Sequence, residues 1–227
     1  MVHLVPIACA TSAFAVPVQI EGIRLQEVPL RRSEEKAPWC YTAAASCEGN
    51  FQSINFLATQ VWPSARVAAI VLEKHLDVRW SVCELGCGPG LPSIAAARMG
   101  STVIATDVDS FALRMVELAA KRQELPLTTQ IFDLTSDSSL PEADVYVLSD
   151  VFESNKIAQM AAMHTGRALD AGKKVWVFAQ NDRAQREVYL AHLRRLFPDM
   201  SLNWSSPAMG SQNIWLVDID ETHVNYN

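Results

Sequence analysis

Three glycines at alternate positions, Gly86, Gly88 and Gly90, lie in "VCELGCGPGLPSIAAARMG", where an apolar run turns into a helix-like one. Glycine reaches backbone angles closed to other residues and lets another molecule approach the main chain closely. Three of them directly between strand and helix exceed what a tight turn requires, so the stretch reads as a ligand loop. A carboxylate, Glu84, stands two residues before the first glycine, and Asp107 stands 21 residues after it. An acid at that second place can accept both hydroxyls of a ribose. Asp150 and Glu153 set two more carboxylates after another apolar run, "DVYVLSD". A carboxylate there can orient an amine by hydrogen bonding and help it lose its proton.

Two familiar phosphate-binding loops are excluded by single residues. The dinucleotide fingerprint needs a third glycine at position 91, which is Leu91, and a P-loop needs a Gly-Lys-Ser/Thr ending that is absent. Glu84 would also repel a pyrophosphate, whereas it suits a ligand carrying an ammonium and a sulfonium. With Asp107 for the ribose, the ligand that fits is S-adenosyl-L-methionine. No second Cys/His pair accompanies Cys40 and Cys47, so no metal site is expected.

These residues need a scaffold, and the pattern around them predicts one. A helix starts at Pro63 and spaces Val67, Ile70, Val71 and His75 on one face. Strand 82–85, helix 91–99 closed by Gly100, strand 102–107 and helix 110–122 opened by Asp109 or Ser110 follow. A short strand near 129–132, strand 144–150, a helix near 154–169, strand 174–180 and the helix in "RAQREVYLAHLRRLF" continue the alternation. Strands apolar on both faces and alternating with helices specify a mostly parallel sheet covered on both sides. "LNWSS" and "NIWLVDID", joined through a turn at Met209-Gly210-Ser211, are too close for a helix to cross between them, which predicts an antiparallel last strand. Near the N-terminus, "PVQIEGIRLQEVPL" alternates around Glu21-Gly22 as a β-hairpin, and "RRSEEKAP" reads as a linker. The expected division is an extension over residues 1–50 and the main domain over 51–227.

"ELGCGPG" with "ATD" resembles motif I and the following acidic motif of class I, seven-strand methyltransferases. More narrowly, "QVWPSA", "ELGCGPGLPSIAAARMG" and "VLSDVF" are similar to the family that contains the seven-strand protein lysine methyltransferases, over about residues 55 to 220. The resemblance implies a Rossmann-like three-layer α/β sandwich, a seven-stranded sheet with an antiparallel last strand, and lysine methylation on a protein substrate. It further implies that Glu84, Gly86, Cys87 and Gly88 cradle the methionine portion of the cofactor, that Gly90 belongs to the same cofactor-binding loop, and that Asp107 holds the ribose. Asp133 would meet the adenine amine, with Leu134 or Phe132 packing nearby, and Trp62 would wall the pocket. Trp62 has simple core burial as its alternative, and Asp133 a role as a cap or loop acid. Asp150 begins the family's Asp-x-x-Tyr motif, but here the run is "DVFE" and Glu153 replaces the tyrosine. A second carboxylate favours a cationic or strongly polar acceptor; the alternative for the pair is a helix N-terminus supplied with acids. A small-molecule amine acceptor and a non-catalytic partner subunit therefore remain the competing readings.

The bulk properties agree with such a domain. The chain has 227 residues, 49% of them hydrophobic, enough for a sizeable core. A net charge of -6 gives no general attraction to nucleic acid or an anionic membrane. No apolar stretch approaches the ~20 residues a transmembrane helix needs. Five cysteines without regular spacing argue for a reducing compartment, and a cytoplasmic location is expected. The apolar start "MVHLVPIACATSAFAVPVQI" lacks an early Lys or Arg and carries two prolines, which disfavours import or secretion. Asn181 in "QND" is a secondary candidate for the substrate face, and His75, His164 and His192 are assigned no chemistry.

Overall fold

The computed structural model describes residues 18–31, 36–43, 57–205 and 213–220. Cys47, the apolar start over residues 1–17, and the proposed turn at Met209-Gly210-Ser211 lie outside the described residues.

The chain opens with β1 (Gln19–Ile20) and β2 (Ile23–Pro29), an antiparallel hairpin. Its turn places Glu21 at φ 51° and Gly22 at φ 80°, two left-handed residues in succession, the geometry that matches strand twist in a two-residue hairpin. A third strand, β3 (Trp39–Ala43), pairs antiparallel with β2. The sequence reading had no strand here, because Trp39 to Ala43 are covered from both sides and show no polar alternation.

The larger sheet contains β4 (Val82–Leu85), β5 (Val103–Asp107), β6 (Leu127–Ile131), β7 (Val145–Ser149), β8 (Lys174–Gln180) and β9 (Ile214–Ile219). Its order is β6-β5-β4-β7-β8-β9. Five α-helices accompany it: α1 (Pro63–His75), α2 (Leu91–Met99), α3 (Ser110–Arg122), α4 (Asn155–Asp170) and α5 (Gln185–Leu196). Strand alternation divides the core. Val82, Val147, Trp176 and Val217 pack towards α1 and α2, while Cys83, Leu85, Leu148, Val177 and Leu216 pack towards α4 and α5. α3 covers Ala105 on the first side, so the three-layer α/β sandwich expected from the pattern is present.

Two expectations are corrected. Among the described residues the large sheet has six strands rather than seven, with Ser205 adding only an isolated bridge to Val217. The last strand is parallel: β9 pairs with β8 from Val175↔Ile214 to Gln180↔Ile219, and the Ser205 bridge is parallel too. The expectation failed because a parallel return was equated with a helical crossover. Ser205 pairs with Val217, only three residues beyond the start of β9, and nine residue steps can reach up to ~30 Å, so a parallel return requires no helix.

Local signals account for the helix ends. Asp109 caps α3, its Oδ1 accepting from the Phe111 N–H at 2.8 Å, and Ser154 caps α4 through the Ile157 N–H. Gly100 ends α2 at φ 102°. α2 is buried from Leu91 through Ala97 because the sheet, α1, α3 and β3 surround it. α1 turns a different stripe inward from the one expected: Ser64, Ala68, Ala69, Val71 and Leu72 are buried, and Val67, Ile70 and His75 are only partly covered. The small residues at 64, 68 and 69 let this helix sit close to the sheet and α2. The N-terminal strands are anchored on this body. Tyr41 packs with Ile94, Phe111 and Met115, and Arg66 on α1 donates to the carbonyls of Pro29 and Leu30.

Candidate functional site

Strand order reverses at β4, which has β5 on one side and β7 on the other, and the crevice beyond the carboxyl ends of these strands is where such sheets bind ligands. A cleft lies there. Gly86, Cys87, Gly88 and Pro89 form its floor, Asp107 and Val108 one wall, Phe132 to Thr135 the next, and Ser149 to Val151 with Glu153 the opposite side. Leu57, Ala58, Gln60 and Trp62 close it from the chain ahead of α1.

The loop is fixed by its own hydrogen bonds. The Cys87 N–H donates to the Thr106 carbonyl and the Gly90 N–H to the Cys87 carbonyl, both at 2.8 Å. The Gly88 N–H donates to Asp107 Oδ2 at 2.8 Å, and the Asp109 N–H to Asp107 Oδ1 at 2.9 Å. Burial pushes the Asp107 carboxyl above its usual range against the pull of these donors. Each oxygen retains a further lone pair towards the cleft.

The glycines divide into two kinds. Gly86 (φ 71°) and Gly88 (φ 49°) line the cleft, and a Cβ on Gly86 would come within 2.9 Å of Val151. Gly90 does not line it. At φ 70° it opens α2, and a Cβ there would meet Val116 of α3 at 2.6 Å.

Glu84 sits beneath the loop rather than in the cleft wall. Its side of β4 faces α2, and Oε2 accepts from the Ser93 N–H at 3.0 Å and the Ser93 hydroxyl at 2.5 Å. Oε1 is buried with no hydrogen bond of normal geometry, although the nearby Ser149 hydroxyl tempers it. Burial raises this carboxyl to about 8. A buried carboxyl oxygen that no hydrogen bond of normal geometry satisfies, under two glycines whose Cα atoms leave the floor bare, fits a group that brings its own donors.

The other residues singled out by sequence fall as follows. Trp62 is half-buried in the cleft wall and not in the core, its Nε1–H donating to the Leu57 carbonyl at 3.1 Å. Asp133 is an exposed acid at the mouth, whose Oδ1 accepts from the Thr135 N–H at 2.7 Å; those Thr135 bonds hold its carboxyl below the usual range. Leu134 and Phe132 line the same side. Asn181 is exposed and lies outside the cleft lining.

Asp150 has a left-handed backbone, φ 56°, and a side chain only 1% exposed. Its carboxylate is gripped by Arg183, which the sequence reading passed over. Nε donates to Oδ1 at 3.1 Å and Nη2 to Oδ2 at 2.9 Å. The same guanidinium lies 5.1 Å from the centre of the Trp62 ring and reaches Gln180 Oε1. Glu153 also lines the cleft but is exposed, and partial burial, Asp107 and Asp150 raise its carboxyl above its ordinary range while Arg183 lowers it. Among the described residues no His/Cys/Asp/Glu group suits a metal ion, and no helix is long and apolar enough to cross a membrane.

Comparison with known proteins agrees with this geometry. The family model of ribosomal protein L11 methyltransferase (PrmA) matches residues 62–168. The ribosomal protein L11 methyltransferase of Janthinobacterium sp. (strain Marseille) is 30% identical over 114 residues, 50% of this chain and 36% of the relative. The protein-lysine methyltransferase METTL21E of Mus musculus is 48% identical over 52 residues, 21% of each chain. The chain thus spans about a third of the length of the L11 methyltransferases it matches. In fold, it is similar to the crystal structure of a TehB-like SAM-dependent methyltransferase from Corynebacterium glutamicum, with a TM-score of 0.50 and 18% identity over 63% of this chain and 77% of the other.

Proposed function

We propose that this chain, a member of the class I S-adenosylmethionine-dependent methyltransferases, transfers a methyl group to the side-chain nitrogen of a lysine on a protein substrate. The observation that carries the reading is the cleft itself. Two bare glycines and the Asp107 carboxylate on one side face Asp150 and Glu153 on the other, with the buried Glu84 carboxyl under the floor.

In this reading Gly86, Cys87 and Gly88 receive the methionine portion over Glu84, Asp107 accepts from the ribose hydroxyls, and Asp133 and Leu134 border the adenine. Bound there, the sulfonium supplies a methyl group that is already a good electrophile. The protein's part is to hold a neutral nitrogen in line with it and to exclude competing water. The acidic side opposite Asp107 attracts the cationic acceptor, and a carboxylate there takes up the proton it must lose before its lone pair can attack. Lysine on a protein is favoured by the similarity to the protein-lysine methyltransferase over the matched stretch and by an acidic acceptor side. A small-molecule amine is the second reading, favoured by Glu153 standing where the lysine-methylating family has tyrosine.

The test is calorimetric titration with S-adenosylmethionine and S-adenosylhomocysteine, repeated with Asp107→Ala, followed by a tritiated-methyl search for labelled proteins in cell extract. Micromolar binding that the variant loses, and label on protein lysines, are the expected results. Folded wild-type protein that binds neither compound refutes the methyltransferase reading; label confined to small molecules refutes the protein substrate.

A further inference from the structure

The two acceptor-side carboxylates are not equivalent. Asp150 is spoken for: its side chain is 1% exposed, both oxygens accept from Arg183, and that guanidinium is in turn covered by the Trp62 ring and tied to Gln180. Fork-to-fork pairing of this kind is among the stronger hydrogen-bonded arrangements, and an incoming ammonium would have to displace both of its hydrogen bonds to reach Asp150. Glu153 differs in each respect. It lines the same cleft, it is exposed, and among the described residues no cation lies within ion-pair distance of it.

We propose that Glu153 is the carboxylate that receives the acceptor's cationic nitrogen, and that Arg183 with Asp150 forms a positioning pair that holds the acceptor side of the cleft together. The proposal rests on the methyl-transfer reading and assigns its acceptor site. Glu153 takes the proton that the acceptor ammonium gives up. The freed lone pair then forms the N–C bond as the C–S bond breaks, and the C–S electron pair stays on sulfur. Partial burial and the neighbouring Asp107 and Asp150 raise the Glu153 carboxyl, which makes its carboxylate the better proton acceptor. Arg183 offsets the charge of Asp150 beside it, which leaves Glu153 as the acceptor-side carboxylate open to a cation, and the substrate class that follows is a cationic primary amine such as a lysine side chain. The Glu at this position then does electrostatically what a tyrosine hydroxyl could do only by hydrogen bonding.

The experiment needs no knowledge of the true acceptor. Sinefungin differs from S-adenosylhomocysteine chiefly in carrying an ammonium on the carbon that replaces sulfur, where the transferable methyl group would lie. Titration of the full chain with both compounds reads the carboxylate that faces this position, because their shared parts cancel in the affinity ratio. Wild-type protein is expected to prefer sinefungin by about tenfold. Glu153→Gln should abolish the preference and Glu153→Asp should keep part of it, with S-adenosylhomocysteine affinity unchanged in both. The double variant Asp150→Asn/Arg183→Gln, which removes the pair without leaving either charge alone, should keep the preference to within about twofold. A wild-type protein with no preference, a preference that survives Glu153→Gln, or one lost in the double variant overturns the proposal. Binding of neither compound to folded wild-type protein overturns the methyltransferase reading, and this assignment with it, and is distinguished by the absence of S-adenosylhomocysteine binding.

Discussion

Replacing Gly90 by alanine tests the claim that the third glycine of the loop serves packing rather than a ligand. The backbone at Gly90 is left-handed, φ 70°, which costs an alanine roughly 1–2 kcal/mol. The new methyl group would also stand 2.6 Å from Val116 Cγ2 and 3.2 Å from Cγ1. Val116 is fully buried on α3 and, being β-branched, has little rotamer freedom to give way, so overpacking adds roughly 1–3 kcal/mol. Gly100 supplies the control. It is left-handed too, at φ 102°, yet a Cβ there would meet nothing within 4 Å. Urea unfolding should therefore show a loss of about 2–5 kcal/mol for Gly90→Ala against about 1–2 kcal/mol for Gly100→Ala. The gain in unfolded-state order is common to both and cancels. Val116→Ala placed on top of Gly90→Ala should cost less than it does alone, because it removes the clash. Equal losses for the two glycine variants, or strict additivity with Val116→Ala, would refute the packing argument.

Two further outcomes follow from the buried polar groups. Glu84 titrates near 4.5 when exposed and at about 8 when folded, so the folded chain holds the extra proton between those values. Stability should fall as pH rises from about 4.5 to 8, by up to about 1.4 kcal/mol per unit from this group, and Glu84→Gln should flatten that part of the curve when unfolding is followed at pH 5 and pH 8; an unchanged slope would contradict the burial of a lone carboxyl. Arg66→Ala strips the donors from the Pro29 and Leu30 carbonyls, at about 1–3 kcal/mol, and limited proteolysis should then cut first between residues 18 and 43; unaltered cleavage would show that the apolar contacts and the polar links from Glu73, Arg114, Arg122 and Gln123 hold the N-terminal strands without it.

What the sequence disclosed and what it hid divide along one physical line. Periodicity and end signals are local, so α2 from Leu91 to Met99 and α3 from Ser110 to Arg122 were legible residue by residue, with Asp109 rather than Ser110 as the cap of α3. The Glu21-Gly22 turn was legible for the same reason. β3 was hidden because Tyr41 on one face packs on α2 and α3 while Cys40 on the other packs on α1 and α2, which erases the polar alternation that marks a strand. The direction of β9 was misjudged because it depends on chain reach, not on composition. In the site, Gly86, Gly88 and Asp107 were found by type and spacing, and they do meet in one cleft. Arg183 was missed since its partner, Asp150, is 33 residues away and nothing in "NDRAQ" marks one arginine as turning inward. Its place directly after strand β8, in the stretch from which Asn181 had been picked, was the available signal.

The Asp107 carboxylate has a consequence beyond the ligand it would face. One oxygen fastens the Gly88 N–H of the first loop, and the other fastens the Asp109 N–H where α3 begins. Two successive strand-to-helix connections are thereby riveted by one side chain. Because bonds within the chain shape that floor, the conformational entropy of ordering it is surrendered when the chain folds, which lowers the ordering cost of association there. Affinity at this cleft is in that sense a property of the folding reaction.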